Sequence, residues 1–533
     1  MRLTGILTIV AIQLAILALS GSQPVSADDS SRLVDTGHWS NHYIRNLQER
    51  GALQQLHPTN TPWTYGEVRS ALNKIDRDEL DHIAQRWVDQ LDEYFQRDEV
   101  ENEVRIGGNF AAWATRINSD RVNPLRPKGQ GEPLLPGAHL RTYMESGRVA
   151  AQAGVTVDLE YLYDPDAVDV THRLLGRPEH FYVGYSGDWV GFYAGRFSQH
   201  WGQPGSPAGA VTDNPRAYDR LSFRIGGKRL ALRSFVGELD NLGPSGSYFD
   251  RESFQQDVIR RYVSLHRVDW RPTPDFALTF YEGVIYGGYN TSFSLQYVNP
   301  LQFMVIGQDS DPKNEYANLI IGSMMWWQFG PGVLWAEFML DDIVVDNRAE
   351  LIARNDLKPA ATTWSAGLTL TGLHPEFDLD LRGQMVSSTA YRSELFRGQW
   401  TYAQRGLATN FGDYIRTSME LSWYADRLTP GLEIRPGVDL LLQGEGDIRM
   451  PLAINEPNID QLPLVLGGTV EETVRPFVSM RYQPVPRFWV EADIGLNHIR
   501  NRGHIEGYSE TPVIGMIRAS YEISGDWGIS QSW

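Results

Sequence analysis

Nine residues, Phe377 to Met385, alternate without exception: Phe377, Leu379, Leu381, Gly383 and Met385 are separated by Asp378, Asp380, Arg382 and Gln384. Side chains along a strand point to opposite faces in turn, so this stretch has one hydrocarbon face and one charged face. The pattern returns further on. Ile415, Thr417, Met419, Leu421 and Trp423 oppose Arg416, Ser418, Glu420 and Ser422. Leu432, Ile434, Val438, Leu440 and Leu442 oppose Glu433, Arg435, Asp439 and Gln443. Phe488, Val490, Ala492, Ile494 and Leu496 oppose Glu491, Asp493 and Asn497. Recurrence along most of a chain is the signature of a transmembrane β-barrel, apolar towards lipid and polar towards a lumen. Acids and arginines share the polar faces, so the expected lumen is ion-paired rather than charged with one sign.

The connections carry a second regularity. Short turn signals near Gly147, Gly187-Asp188, Gly226-Gly227, Pro272 to Asp275, Gly330-Pro331, Leu373 to Glu376, Asp426 to Gly431 and Gln483 to Pro486 separate apolar-periodic runs. Longer segments lie between them, at about 118–138, 162–178, 198–218, 238–257, 287–315, 344–362, 388–411, 445–471 and 499–511. Eight short turns and nine long loops predict an all-β, antiparallel transmembrane barrel of about 18 strands with both ends on the periplasmic side. Sixteen Trp and 24 Tyr suit interfacial girdles, and Trp326-Trp327, Trp335, Trp364 and Trp423 fall in or near expected strands. Trp489 instead falls on the luminal parity, and Trp533 is a terminal aromatic of the kind read by barrel-assembly machinery.

The first 27 residues read as a signal peptide. Arg2 precedes an apolar run from Ile6 to Leu19, and Val25-Ser26-Ala27 has the small-x-small pattern of a cleavage site. Expected parts are therefore a leader at 1–27, a helical periplasmic module at 28–100 and the barrel at 101–533. No later apolar run is long enough for a spanning helix, so a membrane-embedded mature chain crosses as strands. The absence of cysteine excludes disulfides and a lipid-modified N-terminal cysteine. A net charge of −18, with no clustered basic face, argues against a nucleic-acid partner.

In the module, Ser40 is placed to cap a helix carrying Tyr43, Ile44 and Leu47, which Gly51 ends. Thr64 and Glu67 have capping-box spacing before Val68, Ala71, Leu72 and Ile75. A third helix is expected over 78–95, with Ile83, Trp87, Val88 and Leu91 on one face. The order of Trp39, Ile44, Leu47, Gly51 and Pro62-Trp63-Thr64 loosely resembles an S-layer-homology unit, which binds wall polymers. Two readings follow for the module: a peptidoglycan contact, or a periplasmic cap packed on the barrel.

Three local patterns point beyond the fold. Gly195-Arg196 with Trp201-Gly202-Gln203-Pro204, then Asp213-Asn214-Pro215, resembles the GR-x(n)-WG segment of the capsule assembly (Wzi-type) outer-membrane family. His266-Arg267-Val268-Asp269-Trp270 followed by Glu282 to Gly287 and by Tyr297-Val298-Asn299-Pro300-Leu301 is similar to that family as well, and so is Ala336 to Ile343. The resemblance covers roughly Arg196 to Ile343. It implies an 18-stranded barrel with a small helical periplasmic region and a lectin-like role in holding capsular polysaccharide at the surface.

Candidate ligand-binding residues are Arg196, Trp201, Asn299, Asp341 and Asp342. Aspartates bind sugar hydroxyls or cations, and Asp309-Ser310-Asp311 is a further possible contributor to a Ca²⁺ site. Adjacent strand residues face opposite ways, so Asp341 and Asp342 share one site only beyond the strand end. Arg196 belongs to the lumen if Phe197 faces lipid. Pro300 stops a ladder, and the loop 287–315 is expected to fold into or over the barrel mouth, narrowing or plugging it. There is no G-x-S-x-G, H-E-x-x-H or P-loop, although His180, His200, His266 or His498 is available to a rim hydrolase. The expectation is a non-enzymatic receptor without cofactor, in contact with outer-membrane lipid and surface polysaccharide; the alternative is a porin-like diffusion channel.

Overall fold

The computed structural model describes residues 30–96, 103–125, 134–159, 176–243, 258–289, 291–304, 317–341, 361–452 and 463–530. The leader and its cleavage site, Asp309 to Asp311, Asp342 and Trp533 lie outside the described residues.

Eighteen strands form the wall. They are β1 (Glu103–Ile117), β2 (Leu135–Ser146), β3 (Val149–Asp158), β4 (Gly176–Ser186), β5 (Val190–Phe197) and β6 (Tyr218–Gly226). Next come β7 (Leu230–Glu238), β8 (Ile259–Thr273), β9 (Phe276–Tyr289), β10 (Ala317–Phe329), β11 (Gly332–Asp341) and β12 (Ala361–His374). The last are β13 (Phe377–Val386), β14 (Tyr414–Tyr424), β15 (Leu432–Gln443), β16 (Glu471–Val485), β17 (Phe488–Leu496) and β18 (Val513–Ser530). Each pairs antiparallel with the next, and β1 pairs with β18 from Glu103↔Ser530 to Ile117↔Met516. The ring is closed, which leaves no edge with unpaired backbone groups and is the form of sheet a bilayer tolerates. The chain is an integral β-barrel of outer-membrane type, with short turns at the periplasmic end and long loops at the other.

The two faces follow the alternation. Phe377, Met419, Leu421, Leu440 and Ile494 are exposed on the outer wall. Near the short turns, Phe377 stacks on Trp423 at 6.3 Å and 12°, and Trp189, Trp270 and Trp327 stand exposed, forming one aromatic girdle. Trp364 is also outside, packed on Phe338. Trp326 and Trp335, expected in a girdle, face inward and are buried together because they hold the luminal parity of paired strands.

Among the described residues three α-helices lie before the wall: α1 (Ser40–Glu49), α2 (Tyr65–Leu72) and α3 (His82–Phe95). The capping box of Thr64 and Glu67 is formed, and Gly51 ends the first helix with a positive φ of 83°. Ser40 is not the cap of α1; it is the first helical residue, and its hydroxyl meets His38 Nδ1 at 2.7 Å. Helix α3 begins at His82 rather than at Asp78 because the Asp81 carboxylate accepts from the N–H groups of Ile83 and Ala84. Tyr43, Ile44 and Leu47 of α1 bury against Trp87, Val88 and Leu91 of α3, each such side chain contributing about 1.5–3 kcal/mol.

This helical segment sits inside the short-turn mouth of the barrel. Its cluster includes Tyr424 of the wall and packs on Trp489. Around the ring, Arg32 pairs with Glu145, Arg141 and His180 with Asp35, Arg86 with Asp426, and Tyr94 donates to Glu522. Arg267, well inside the lumen, donates to Thr59 O at 2.8 Å. The segment is a plug rather than an external cap.

Candidate functional site: the occupied lumen

Two extracellular connections fold down into the barrel above the plug. The first, 198–217, follows β5; the second, 387–413, joins β13 to β14. The loop–plug junction is covalently remote but tightly bonded. Thr61 N donates to His200 O at 3.0 Å and His200 N to Thr61 O at 2.9 Å, so the loop adds a ladder rung to the plug. Gln203 Nε2 donates to Glu49 Oε1 at 3.3 Å, and Arg382 donates to Gly205 O and Ser206 Oγ at 3.1 Å. The two loops also hold each other: Thr212 N donates to Leu407 O at 2.7 Å, Trp400 Nε1 to Ala210 O at 2.7 Å and the Tyr391 hydroxyl to Gly209 O at 2.9 Å.

An apolar core within the lumen cements them. Trp201, Val211, Tyr391, Trp400 and Leu407 from the loops pack on Phe235, Val263, Leu265, Ile285, Ile320 and Met339 from the wall. These wall residues all point inward, so β7 to β11 have apolar side chains on both faces. The signal is readable in the chain as near-continuous apolar stretches such as Leu319 to Trp327, the pattern of strands buried on both sides.

Opposite this core the lumen is charged, as the alternation of β13 to β17 predicts. Arg382 pairs with Asp380, Arg416 with Asp439, Arg435 with Glu420, Arg475 with Asp493 and Arg481 with Glu491. A chamber of about 280 Å³ remains between these groups and the tip of loop 198–217, lined by Arg382, Arg416, Arg435, Asp380, Glu420 and Asp439. A second, of about 360 Å³, lies beside the same tip and is lined by amides and hydroxyls, among them Asn41, Thr61, Asn123, Thr212, Asn214 and Asn410. Asn214 and Asn410 bond each other reciprocally at 2.6 and 3.0 Å.

Burial shapes the ionisation of the plug. The Glu49 carboxyl is pushed up to about 7 by burial, which Arg45 only partly offsets. Burial brings His42 down to about 4 despite Glu433 at 2.7 Å. For Asp35 burial acts the other way, yet His180 and Arg141 outweigh it and hold the carboxyl well below the usual range.

The candidate residues scatter over these features. Phe197 faces the lumen, so Arg196 points outward at the extracellular end of β5, with Nη2 at 2.5 Å from Asp219. Trp201 is buried in the luminal core, edge-on to Phe235 at 5.2 Å. Asp341 faces inward at the end of β11 and accepts from Tyr391 N at 2.6 Å, which anchors the second loop. Asn299 lies in the stretch 291–304, where its side chain closes a turn onto Leu301 N at 3.2 Å.

That stretch corrects an expectation. Its described part does not enter the lumen: it lies on the outer wall, where Tyr297 packs on Tyr262 and Tyr286, whose parity is outward, and the Ser264 hydroxyl donates to Tyr297 O. Among the described residues the luminal filling comes mainly from 198–217 and 387–413, with Leu125 and Ile448 of two further connections in the same core. What the residue pattern concealed is that outward positions of β8 and β9 offer an aromatic seat, while inward ones are already filled by Trp400 and its neighbours.

No protein-family model matches the chain, and neither does any curated protein sequence. Among solved structures the chain is similar to Wzi of Escherichia coli, an outer-membrane protein involved in group 1 capsule assembly and described as a carbohydrate-binding β-barrel. The TM-score is 0.60 at 11% identity, covering 92% of this chain and 99% of that one. It is also similar to OccD3 (OpdP) of Pseudomonas aeruginosa, with a TM-score of 0.45 at 12% identity over 79% of this chain and 91% of that one. OprD of the same organism gives 0.44 at 9% over 79% and 95%. At such identities the likeness is one of fold.

Proposed function

We propose that this chain is a non-enzymatic receptor of the outer membrane that binds a capsular or other surface polysaccharide and assists capsule assembly or attachment, in the manner of the Wzi-type family. The observation that carries the reading is the rung between Thr61 and His200, which joins an extracellular loop to the periplasmic plug through the middle of the barrel. A lumen used in this way is scaffold rather than passage. Function then falls to the extracellular loop surface, where many weak contacts along a polymer give avidity without one deep pocket. The Gly195 to Pro204 and His266 to Leu301 resemblances and the likeness to a barrel described as carbohydrate-binding support the same reading. On it, residues 1–27 are removed on export, 28–100 supply the plug and 101–533 the barrel. Trp201 and Asp341 act by holding the inner loops, and Arg196 by its rim pair with Asp219. Deleting the gene is expected to move polysaccharide from the cell-associated to the released fraction. Unchanged retention overturns the proposal.

A diffusion channel is the second reading, favoured by the two polar chambers beside the loop tip. Planar-bilayer recording separates the two: a receptor of this build passes little current, and a steady open-channel conductance favours the channel.

A further inference from the structure

Two ion pairs of the charged luminal wall are closed by hydrogen bonds, between Arg382 and Asp380 at 2.9 Å and between Arg416 and Asp439 at 3.0 Å. Arg435 of β15 and Glu420 of β14 differ. Their nearest approach, Nη1 to Oε1, is 3.6 Å, and Glu433 stands 3.7 Å from the Arg435 Nε, both beyond hydrogen-bond length. Among the described residues neither Arg435 nor Glu420 makes a hydrogen bond. Both line the chamber of about 280 Å³, and their side chains are 24% and 27% exposed, so they keep surface open to it. A guanidinium with N–H groups to give thus stands beside a carboxylate with lone pairs to fill.

The wall beside them is arranged in rows. Asp380, Glu420, Gly437 and Phe477 are successive register partners across β13 to β16, all on the luminal parity. A Cβ at Gly437 would stand 2.6 Å from Phe477 Cζ, so the bare backbone there lets the ring lean across the row and line the chamber. The next row, Arg382, Ser418 and Asp439, bounds the same space. Around the tip of loop 198–217 this chamber meets the second, of about 360 Å³, since Asn123, Gly205, Ser206 and Arg416 line both. Together they have the size of a small-molecule site. Charge decides what fits. Arg45, Arg382, Arg416 and Arg435 face Asp380, Glu420 and Asp439, so an ion drawn to either member of the Arg435 and Glu420 pair is repelled by the other. A sugar hydroxyl suits both, donating to the carboxylate and accepting from the guanidinium.

We infer that the chamber at the tip of loop 198–217 is a binding site for a neutral sugar, with Arg435 and Glu420 bonding its hydroxyls and Phe477 packing on the C–H face of its ring. The site lies inside the barrel and does not depend on the polysaccharide reading, which concerns the extracellular surface. The probes are glucose, glucuronate and glucosamine, which share one ring and differ in charge. They are titrated against the purified full-length protein in a detergent without a sugar headgroup, and followed by saturation-transfer NMR. The wild type is expected to bind glucose saturably, about five-fold more tightly than either charged sugar. Glu420→Ala removes the acceptor and is expected to weaken glucose about ten-fold. Ser418→Phe fills the chamber from the neighbouring row and is expected to abolish binding. Heat-modifiable gel mobility reports that each variant is folded. No saturable glucose binding to the wild type, equal binding of the three sugars, or an affinity unchanged in folded Glu420→Ala or Ser418→Phe overturns the inference, and none of these results bears on polysaccharide retention by cells.

Discussion

Arg50 at the end of α1 grips Asp378 at the start of β13 with two parallel hydrogen bonds, Nη1 to Oδ2 and Nη2 to Oδ1, both 2.8 Å. The Tyr424 hydroxyl donates to the same carboxylate at 2.7 Å. Both ion-pair partners are nearly buried, so removing Asp378 leaves the Arg50 guanidinium out of solvent with only Asp81, 3.7 Å from its Nε, as counterion. Asp378→Ala is expected to weaken docking of the plug by about 3–5 kcal/mol. Faster amide exchange in residues 40–49, with the wall strands unchanged, is the measurement that checks it.

Trp400 is the hinge between the two inner loops and the wall, fully buried and bonded to Ala210 O. Trp400→Ala removes that bond and leaves a cavity beside Gly283, at an expected loss of about 3–5 kcal/mol in loop packing. Planar-bilayer recording is expected to show bursts of current for this variant over a quiet wild type. A silent variant places the barrier in the helical plug alone.

Met419 stands exposed in the middle of β14 on the lipid face, next to Ser418 on the charged luminal face. Met419→Arg is expected to cost about 2–4 kcal/mol in refolding into bilayers. Ser418→Asn, on the luminal side, is expected to cost under about 1 kcal/mol because the chamber it faces is lined by polar and charged groups. Urea titration in lipid vesicles compares the two.

The barrel was legible because its signal is local. Alternation in Phe377 to Met385 assigns each side chain to lipid or lumen before any partner strand is known, and the run of short and long connections counts the strands. Helix caps at Thr64 are equally local. The lumen was not legible in the same way. Whether Trp201 meets a sugar or Phe235 depends on where a loop folds, and the loop's course is decided by wall residues scattered over β7 to β11. Asn299 and Pro300 marked a turn correctly, but a turn carries no information on which side of the wall it rests. The aromatic seat of Tyr262 and Tyr286 decides that, and it exists only once β8 and β9 are in register.

Glu49 gives the plug a pH dependence whose sign can be worked out. Its carboxyl ionises near 4.5 in an unfolded chain and near 7 in place, because burial disfavours the charged form and Asp378 and Asp380 add to that, against Arg45 and Arg382. Below pH 4.5 the group is protonated in both states and carries no penalty. As pH rises to about 7 the undocked form loses its proton first, so docking weakens progressively, by up to about 3 kcal/mol, and changes little above that. The cost falls on the docked position of Glu49, where Gln203 of loop 198–217 donates to it. Amide exchange in residues 40–49 and 198–206, corrected for its intrinsic pH dependence, is expected to be better protected at pH 5.5 than at pH 8. Glu49→Gln keeps the amide contact without the charge, and its protection is expected to be flat across that range; a slope equal to that of the wild type shows that another group titrates there.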